Sequence, residues 1–342
     1  MSKIESIAVH RVGNKSIDEP LFLSKSLLEV NDEIRSVLYS YFISPFKSNE
    51  YYSLYHETAL TLNEVYAFVS EIFKTPDSLY GQSIKLAKHL YEQNNHPNIK
   101  GGEFYIVYFK ELEVNGRIVD AVGLFKSENK DTFLKVYTTS SDIGIESEQG
   151  ININKLDKGC LIFNIDNENG YLVSIVDNTN KGTEAHFWID DFLRVQQRKD
   201  EYYNTQHTIS LYKSFITKEF PRQFEADQAD QADLINKSVK YFKEKDTFDI
   251  EEFENEVIVQ PEVIDSFNAY KVEYLKERDL ELSDSFSISE SAVKKQARGL
   301  KSVIKLDKNF HIYVHGDRQC IKRGFDETTG MHYYQLFFNE ET

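Results

Sequence analysis

Apolar and polar positions alternate over residues 4–12, a period of two that predicts an opening strand. A second extended run, residues 21–28, leads to Asn31, an N-cap followed by Asp32 and Glu33 in a first turn. Ile34, Val37, Leu38, Tyr41 and Phe42 then recur at helical spacing. Thr61 with Glu64 reads as a capping box for a helix through Phe73. Thr75-Pro76 places an N-cap and a first-turn proline before a helix over residues 79–91.

The pattern changes at Gly101-Gly102. Residues 104–136 read as strands, with Asn115-Gly116 between two alternating runs; both central residues of a type I′ turn need positive φ, which that dipeptide accepts. A further pair, residues 160–165 and 171–176, flanks a turn ending in Asn169-Gly170, giving at least five strands in one antiparallel neighbourhood. After Trp188 the period returns to helical over residues 189–199, 202–217, 229–245, 250–256 and 262–278, with Asp249, Glu252 and Pro261 marking starts. The low-complexity repeat of Ala, Asp and Gln over residues 226–233 reads as a linker or helix lead-in. Ser287 and Glu290 form a capping box for a helix that ends at Arg298 with Gly299 as C-cap. Strands over residues 301–305, 310–314, 320–325 and 332–338 follow. The fold class expected is α+β: N-terminal helices with an antiparallel sheet, then a helical region and a small C-terminal antiparallel β-meander. Two domains are expected, 1–198 and 199–342, the second helical over about 202–298 with its meander over about 301–338.

Composition supports a folded chain. Of 342 residues 40% are hydrophobic, and 21 Tyr and 24 Phe supply large side chains for a core. Cys160 and Cys320 are far apart, each in an apolar or alternating run, and read as reduced thiols. Neither a secretory signal nor an apolar membrane span is visible, so a cytoplasmic location is expected. The formal net charge of −16 means that most of the surface repels a polyanion. Residues 294–323 are the exception, with nine cations against Asp307 and Asp317, 9 − 2 = +7.

Candidate chemistry is sparse. No phosphate-binding glycine loop, dinucleotide fingerprint, nucleophile elbow or zinc-protease helix motif is present. His311 and His315 would share one strand face roughly 13 Å apart, too far for one metal without a third element. Cys160 with His186 can be written as a thiol–imidazole pair, but a buried structural Cys is the commoner arrangement in such an apolar run. Asp190-Asp191, at a sheet-to-helix change, fits helix capping better than acid–base work. No catalytic, cofactor or metal site is therefore assigned, and no enzyme activity is expected.

The basic stretch is the remaining candidate. One reading makes it a solvated helix followed by strands whose lysines protect a sheet edge. Two details go further. Lys294, Lys295, Arg298 and Lys301 gather at a helix C-terminus, more cations than the helix dipole calls for. Tyr313, Phe325, Tyr333 and Tyr334 interleave with Arg318, Lys322 and Arg323, a mixture suited to phosphate contact and stacking. A smaller basic group comprises Arg194, Arg198 and Lys199.

The order of several short segments resembles the bacterial nucleoid-associated protein family of the NdpA/YejK type. They are Ile4-Glu-Ser-Ile-Ala-Val-His10, Lys25-Ser-Leu-Leu-Glu29, Gly150-Ile-Asn-Ile153 and Phe187-Trp-Ile-Asp-Asp-Phe192, then Phe267-Asn-Ala-Tyr270, Leu282-Ser-Asp-Ser-Phe286, Ser302-Val-Ile-Lys305 and the closing meander. The chain departs from that pattern at Asn154-Lys-Leu-Asp-Lys158 and in the Ala–Asp–Gln repeat. The resemblance implies a nucleoid location, DNA association and no established reaction. The resulting expectation is a non-enzymatic, nucleoid-associated protein that contacts phosphates largely without regard to sequence through Lys294, Lys295, Arg298, Lys301, Lys322 and Arg323. The alternative is a protein-interaction module, brought to the nucleoid by a DNA-processing enzyme that docks on its acidic helical region. Partners expected are thus DNA, directly or through such an enzyme, with no membrane; a homodimer is left open.

Overall fold

A computed structural model describes residues 2–140, 142–179, 187–297, 299–300, 302–314 and 318–340. The chain divides into two compact units, Met1–Arg198 and Lys199–Thr342. The first runs β1 (Lys3–Val12), β2 (Leu21–Phe22), α1 (Asp32–Ile43), β3 (Tyr52–Leu54), α2 (Glu64–Lys74) and α3 (Leu79–Gln93). It continues through β4 (Gly102–Val114), β5 (Arg117–Ser127), β6 (Asp131–Thr138), β7 (Ile143–Gly150), β8 (Lys158–Phe163), β9 (Leu172–Asp177) and β10 (Val195–Gln197). Eight of these strands form one antiparallel sheet in the order β10-β3-β9-β8-β5-β4-β1-β2, while β6 and β7 make a separate ribbon.

The central strands are apolar on both faces because both faces are covered. Phe104, Ile106 and Tyr108 of β4 point into one core with Val65, Val69 and Ile72 of α2 and Leu86 and Leu90 of α3. The alternate residues Tyr105, Val107 and Phe109 point into the other, with Tyr41 and Phe42 of α1. β5, β8 and β9 divide their side chains in the same way. The turn joining β4 to β5 has Asn115 at φ 49° and Gly116 at φ 71°, the double positive φ of a type I′ turn.

Several boundaries differ from the sequence reading. Asn63, not Thr61, caps α2, its side chain accepting from the Tyr66 amide and donating to the carbonyls of Tyr55, Leu193 and Arg194. A side chain that can donate as well as accept ties the helix start to neighbouring backbone, which a hydroxyl cap would not do as fully. Only Leu21–Phe22 of the second extended run pairs as strand. Residues 189–199 are not one continuous helix: Phe187–Leu193 is a short π-helical turn, and Val195–Gln197 then joins the edge of the main sheet beside β3.

The second unit is helical and then β. It comprises α4 (Glu201–Ser214), a π-helical turn (Phe215–Glu219), α5 (Phe220–Gln223), α6 (Gln228–Glu244), β11 (Thr247–Asp249), α7 (Ile250–Phe253), a second π-helical turn (Glu254–Ile258), α8 (Pro261–Glu277), β12 (Ser285–Ser287) and α9 (Glu290–Ala297). Two hairpins follow, β13 (Val303–Leu306) with β14 (Phe310–Tyr313), and β15 (Ile321–Asp326) with β16 (Met331–Leu336). The terminal strands are antiparallel as expected, and they pair two by two. The helical core is aromatic, with Tyr212, Phe215, Phe242, Phe248, Phe253 and Phe267 packed together. The Ser289 hydroxyl, not that of Ser287, accepts from the first turn of α9, because Ser287 is engaged in β12 opposite Thr247. Gly299 does not adopt the left-handed conformation of a glycine cap.

The Ala–Asp–Gln repeat is the start of α6. Asp227 is its N-cap, accepting from the amides of Ala229 and Asp230, while the Asp230 carboxylate accepts from the Asp227 amide. The period of three puts Ala229 and Ala232 together, both buried, beneath Ile304, Val314 and Ile321 of the terminal β region. Small side chains at those two positions let the hairpins approach the helix closely.

Candidate nucleic-acid interface

Strand alternation sorts the terminal hairpins into an inner and an outer face. In β13–β14 the pair Ile304↔Ile312 packs toward α6, and its neighbours Lys305↔His311 and Val303↔Tyr313 fall on the opposite face. Lys305, His311 and Tyr313 are exposed. In β15–β16, Ile321 is buried and Tyr334 packs beside it, whereas Lys322↔Gln335 and Gly324↔Tyr333 face away. A Cβ on Gly324 would lie 2.2 Å from the Tyr333 ring, so glycine there allows the ring to lie across the ribbon.

The six residues expected to contact phosphate are placed differently. Lys322 and Arg323 are exposed on β15, and neither makes an ion pair among the described residues. Lys294 reaches Glu290 one helical turn earlier on α9, at 2.7 Å, with both side chains mostly in solvent. Lys295 lies over the Tyr202 ring, 5.6 Å from its centre. Arg298 and Lys301 lie outside the described residues.

Other cations of the sequence reading are occupied within the fold. Arg318 donates to Asp230 at 2.7 Å, to Asp227 at 3.2 Å and to the Ile321 carbonyl. It ties the second hairpin to the N-cap of α6. In the smaller basic group, Arg194 pairs with Glu64, Arg198 with Asp166 and Lys199 with Glu281.

Among curated proteins no relative matches the chain. The family model described as nucleoid-associated protein YejK matches residues 8–331. The chain belongs to that family. Membership covers both compact units and agrees with the expected place in the nucleoid. The YejK family is not known as an enzyme family, and no helix among the described residues is long and apolar enough to cross a membrane.

In this YejK family member the thiol of Cys160 is fully buried between sheet and helices, and burial pushes its pKa well up. That is opposite to what a nucleophile needs. His186, its conceivable partner, lies outside the described residues, as does His315, the companion of the exposed His311. Asp190 and Asp191 are exposed on the π-helical turn. No group of three His, Cys, Asp or Glu among the described residues is arranged to hold a metal ion. A polar cavity of about 580 Å³ in the first unit has lysines in its wall, but each already has a partner: Lys130 meets Glu103, Lys155 meets Asp131 and Lys100 meets Asn129.

The sequence reading passed over two lysines with no exposed surface, Lys126 and Lys158, which are cross-strand partners on β5 and β8. Lys126 Nζ donates to Glu128 and the Lys100 carbonyl at 2.8 and 2.7 Å. Lys158 Nζ donates to both Asp177 oxygens at 2.9 Å and to Thr179 at 2.7 Å. The Phe187 ring lies 5.2 and 5.3 Å from the two ammonium groups. Their signal in the sequence is a lysine bordering an apolar strand at each position.

Proposed function

We propose that the protein contacts the DNA backbone directly through its terminal hairpins and the end of α9. The observation that carries this reading is that Lys322 and Arg323 are both exposed and outside ion pairs among the described residues, Lys322 on the outer face with the exposed ring of Tyr333 and Arg323 on the opposite face across from Tyr334. Lys305 and Tyr313 repeat the combination on the first hairpin. Cations supply phosphate contacts, and tyrosines add faces on which sugars or unstacked bases rest. Strand ribbons do enter DNA grooves, but nothing in the sequence resembles a recognition helix with a paired half-site device, so the binding proposed is largely sequence-neutral. Lys294 and Lys295 serve as outlying contacts, because each must first leave an internal partner. Arg298 and Lys301 belong to the same proposed set by their place in the sequence.

The test is a titration of a labelled duplex at several salt concentrations, with the natural protein and with Lys322→Glu plus Arg323→Glu. Each neutralised phosphate contributes about −0.9 to the slope of log affinity against log salt. The double variant should therefore bind more weakly and lose roughly two such increments of slope. Binding that ignores both salt and the charge reversals would sink the proposal.

A further inference from the structure

The second unit contains a cavity of about 540 Å³ whose apolar lining none of the foregoing uses. Phe220, Leu234, Ile258 and Val263 line it and are nearly buried, and Phe224 beside them is half-buried. Polar groups also line it, Glu225, Asp230 and Asp233 with Lys237 and Arg318. Both of those cations are taken: Lys237 by Asp233 at 2.8 Å, and Arg318 by Asp227 and Asp230. Glu225 is exposed and makes no ion pair among the described residues.

One part of the wall is strained. Val259 has φ 70° and ψ −45°, and the Gln260 amide donates to the Ile258 carbonyl at 2.9 Å. This is a γ-turn of the high-energy hand, rare for any residue and costly for a β-branched one. It holds the Val259 side chain 58% exposed at the cavity. Strain of this kind persists only where surrounding structure enforces it, and it collects at binding surfaces.

We infer that this groove receives an extended or helical segment of a partner protein, with one bulky apolar side chain entering the cavity and a Lys or Arg beside it. The apolar lining sets the first requirement: nothing in it offers a buried polar group without a partner among the described residues, which a small polar ligand would need. Charge sets the second. Residues 218–265 carry fourteen acidic and six basic side chains, 6 − 14 = −8, so a basic segment is drawn in and an acidic one is repelled. Glu225 meets the incoming cation, because it is the carboxylate of the lining with no cation already on it among the described residues. The inference does not depend on DNA contact by the hairpins, whose residues lie outside the groove except for the occupied Arg318.

The experiment pans a random dodecamer peptide display library with the full chain, then measures an enriched peptide, synthesised with a fluorophore, by anisotropy. The expected result is enrichment of an apolar residue flanked by Lys or Arg, with binding that weakens as salt rises. Glu225→Lys and Phe224→Ala should each weaken that peptide at least fivefold, and urea midpoints check that both variants remain folded. Val259→Gly removes both the strain and an exposed apolar side chain of the wall, and should leave the fold intact while lowering affinity. Enrichment of acidic or wholly polar peptides, or affinity unmoved by Glu225→Lys and Phe224→Ala in folded protein, overturns the inference. So does concentration-dependent dimerisation abolished by the same variants, which would make a second copy the occupant.

Discussion

Lys126 and Lys158 face the same side of β5 and β8, where two like charges would ordinarily repel. Each survives burial because a carboxylate accompanies it, Glu128 or Asp177, and because Phe187 presents its ring to both. Burial still depresses the Lys126 pKa, against the opposing pull of Glu128. Removing one partner strands a buried ammonium, which costs about 3–5 kcal/mol. Asp177→Asn should therefore lower the unfolding free energy by about 3 kcal/mol in urea titration; an unchanged midpoint would show that water reaches Lys158. His10 makes a different demand. Its Nε2 hydrogen-bonds Ser83 Oγ, which itself donates to the Tyr80 carbonyl, so Nε2 carries the proton; Nδ1 accepts from the Ser24 amide. Burial lowers the His10 pKa, and it lowers that of His89 as well. A depressed folded pKa means that protonation favours the unfolded chain. The stabilising contribution is present above the ordinary histidine value of about 6.5 and is lost as pH falls from there through the folded value. Urea midpoints should drop between pH 7.5 and pH 5.5, and His10→Gln should flatten that dependence.

At the level of elements, α6 holds the most varied set of contacts in the second unit. Its N-cap receives Arg318, its first two turns carry Ala229 and Ala232 under the hairpins, and its later turns supply Tyr241 and Phe242 to the aromatic core. A lone two-stranded ribbon is marginal in water. The terminal hairpins therefore hold their shape through the small cluster around Ile304, Val314 and Ile321. Ile304→Ala should remove about 2–4 kcal/mol from that packing. Hydrogen exchange would quicken across β13 to β16 while the main sheet keeps its protection; uniform loss across both units would contradict this account. If the hairpins contact DNA, the same variant should weaken binding without touching a cation. β6 and β7 form a second ribbon that uses a different device: Lys135 pairs with Glu146 and Glu148, and the Phe133 and Tyr137 rings cover Gly150 and Gly144.

Across the whole molecule, a net charge of −16 and a +7 stretch within it were both countable from composition. So was the succession of elements, since periods of two and 3.6 depend only on which positions are apolar. The Asn115-Gly116 turn, the Asn31 cap and the proline start of α8 were legible because each depends on the conformational limits of one or two residues. Legibility failed where a neighbour distant in the chain decided. Asn63 outcompetes Thr61 because the backbone of Leu193 and Arg194 lies beside it. Residues 195–197 are a strand because β3 offers an edge, not because their pattern differs from that of a helix. The low-complexity repeat is helical because Arg318 and the hairpins settle on it. The candidate interface shows the same division. The sequence supplied the sign of its charge and its aromatic neighbours, which are properties of residue types. Tertiary structure decided which cations remain available: Arg318 is consumed by Asp227 and Asp230, while Lys322 and Arg323 stand in solvent. A charge is fixed by covalent chemistry, but its partner is fixed by distance, and distance exists only once the chain has folded.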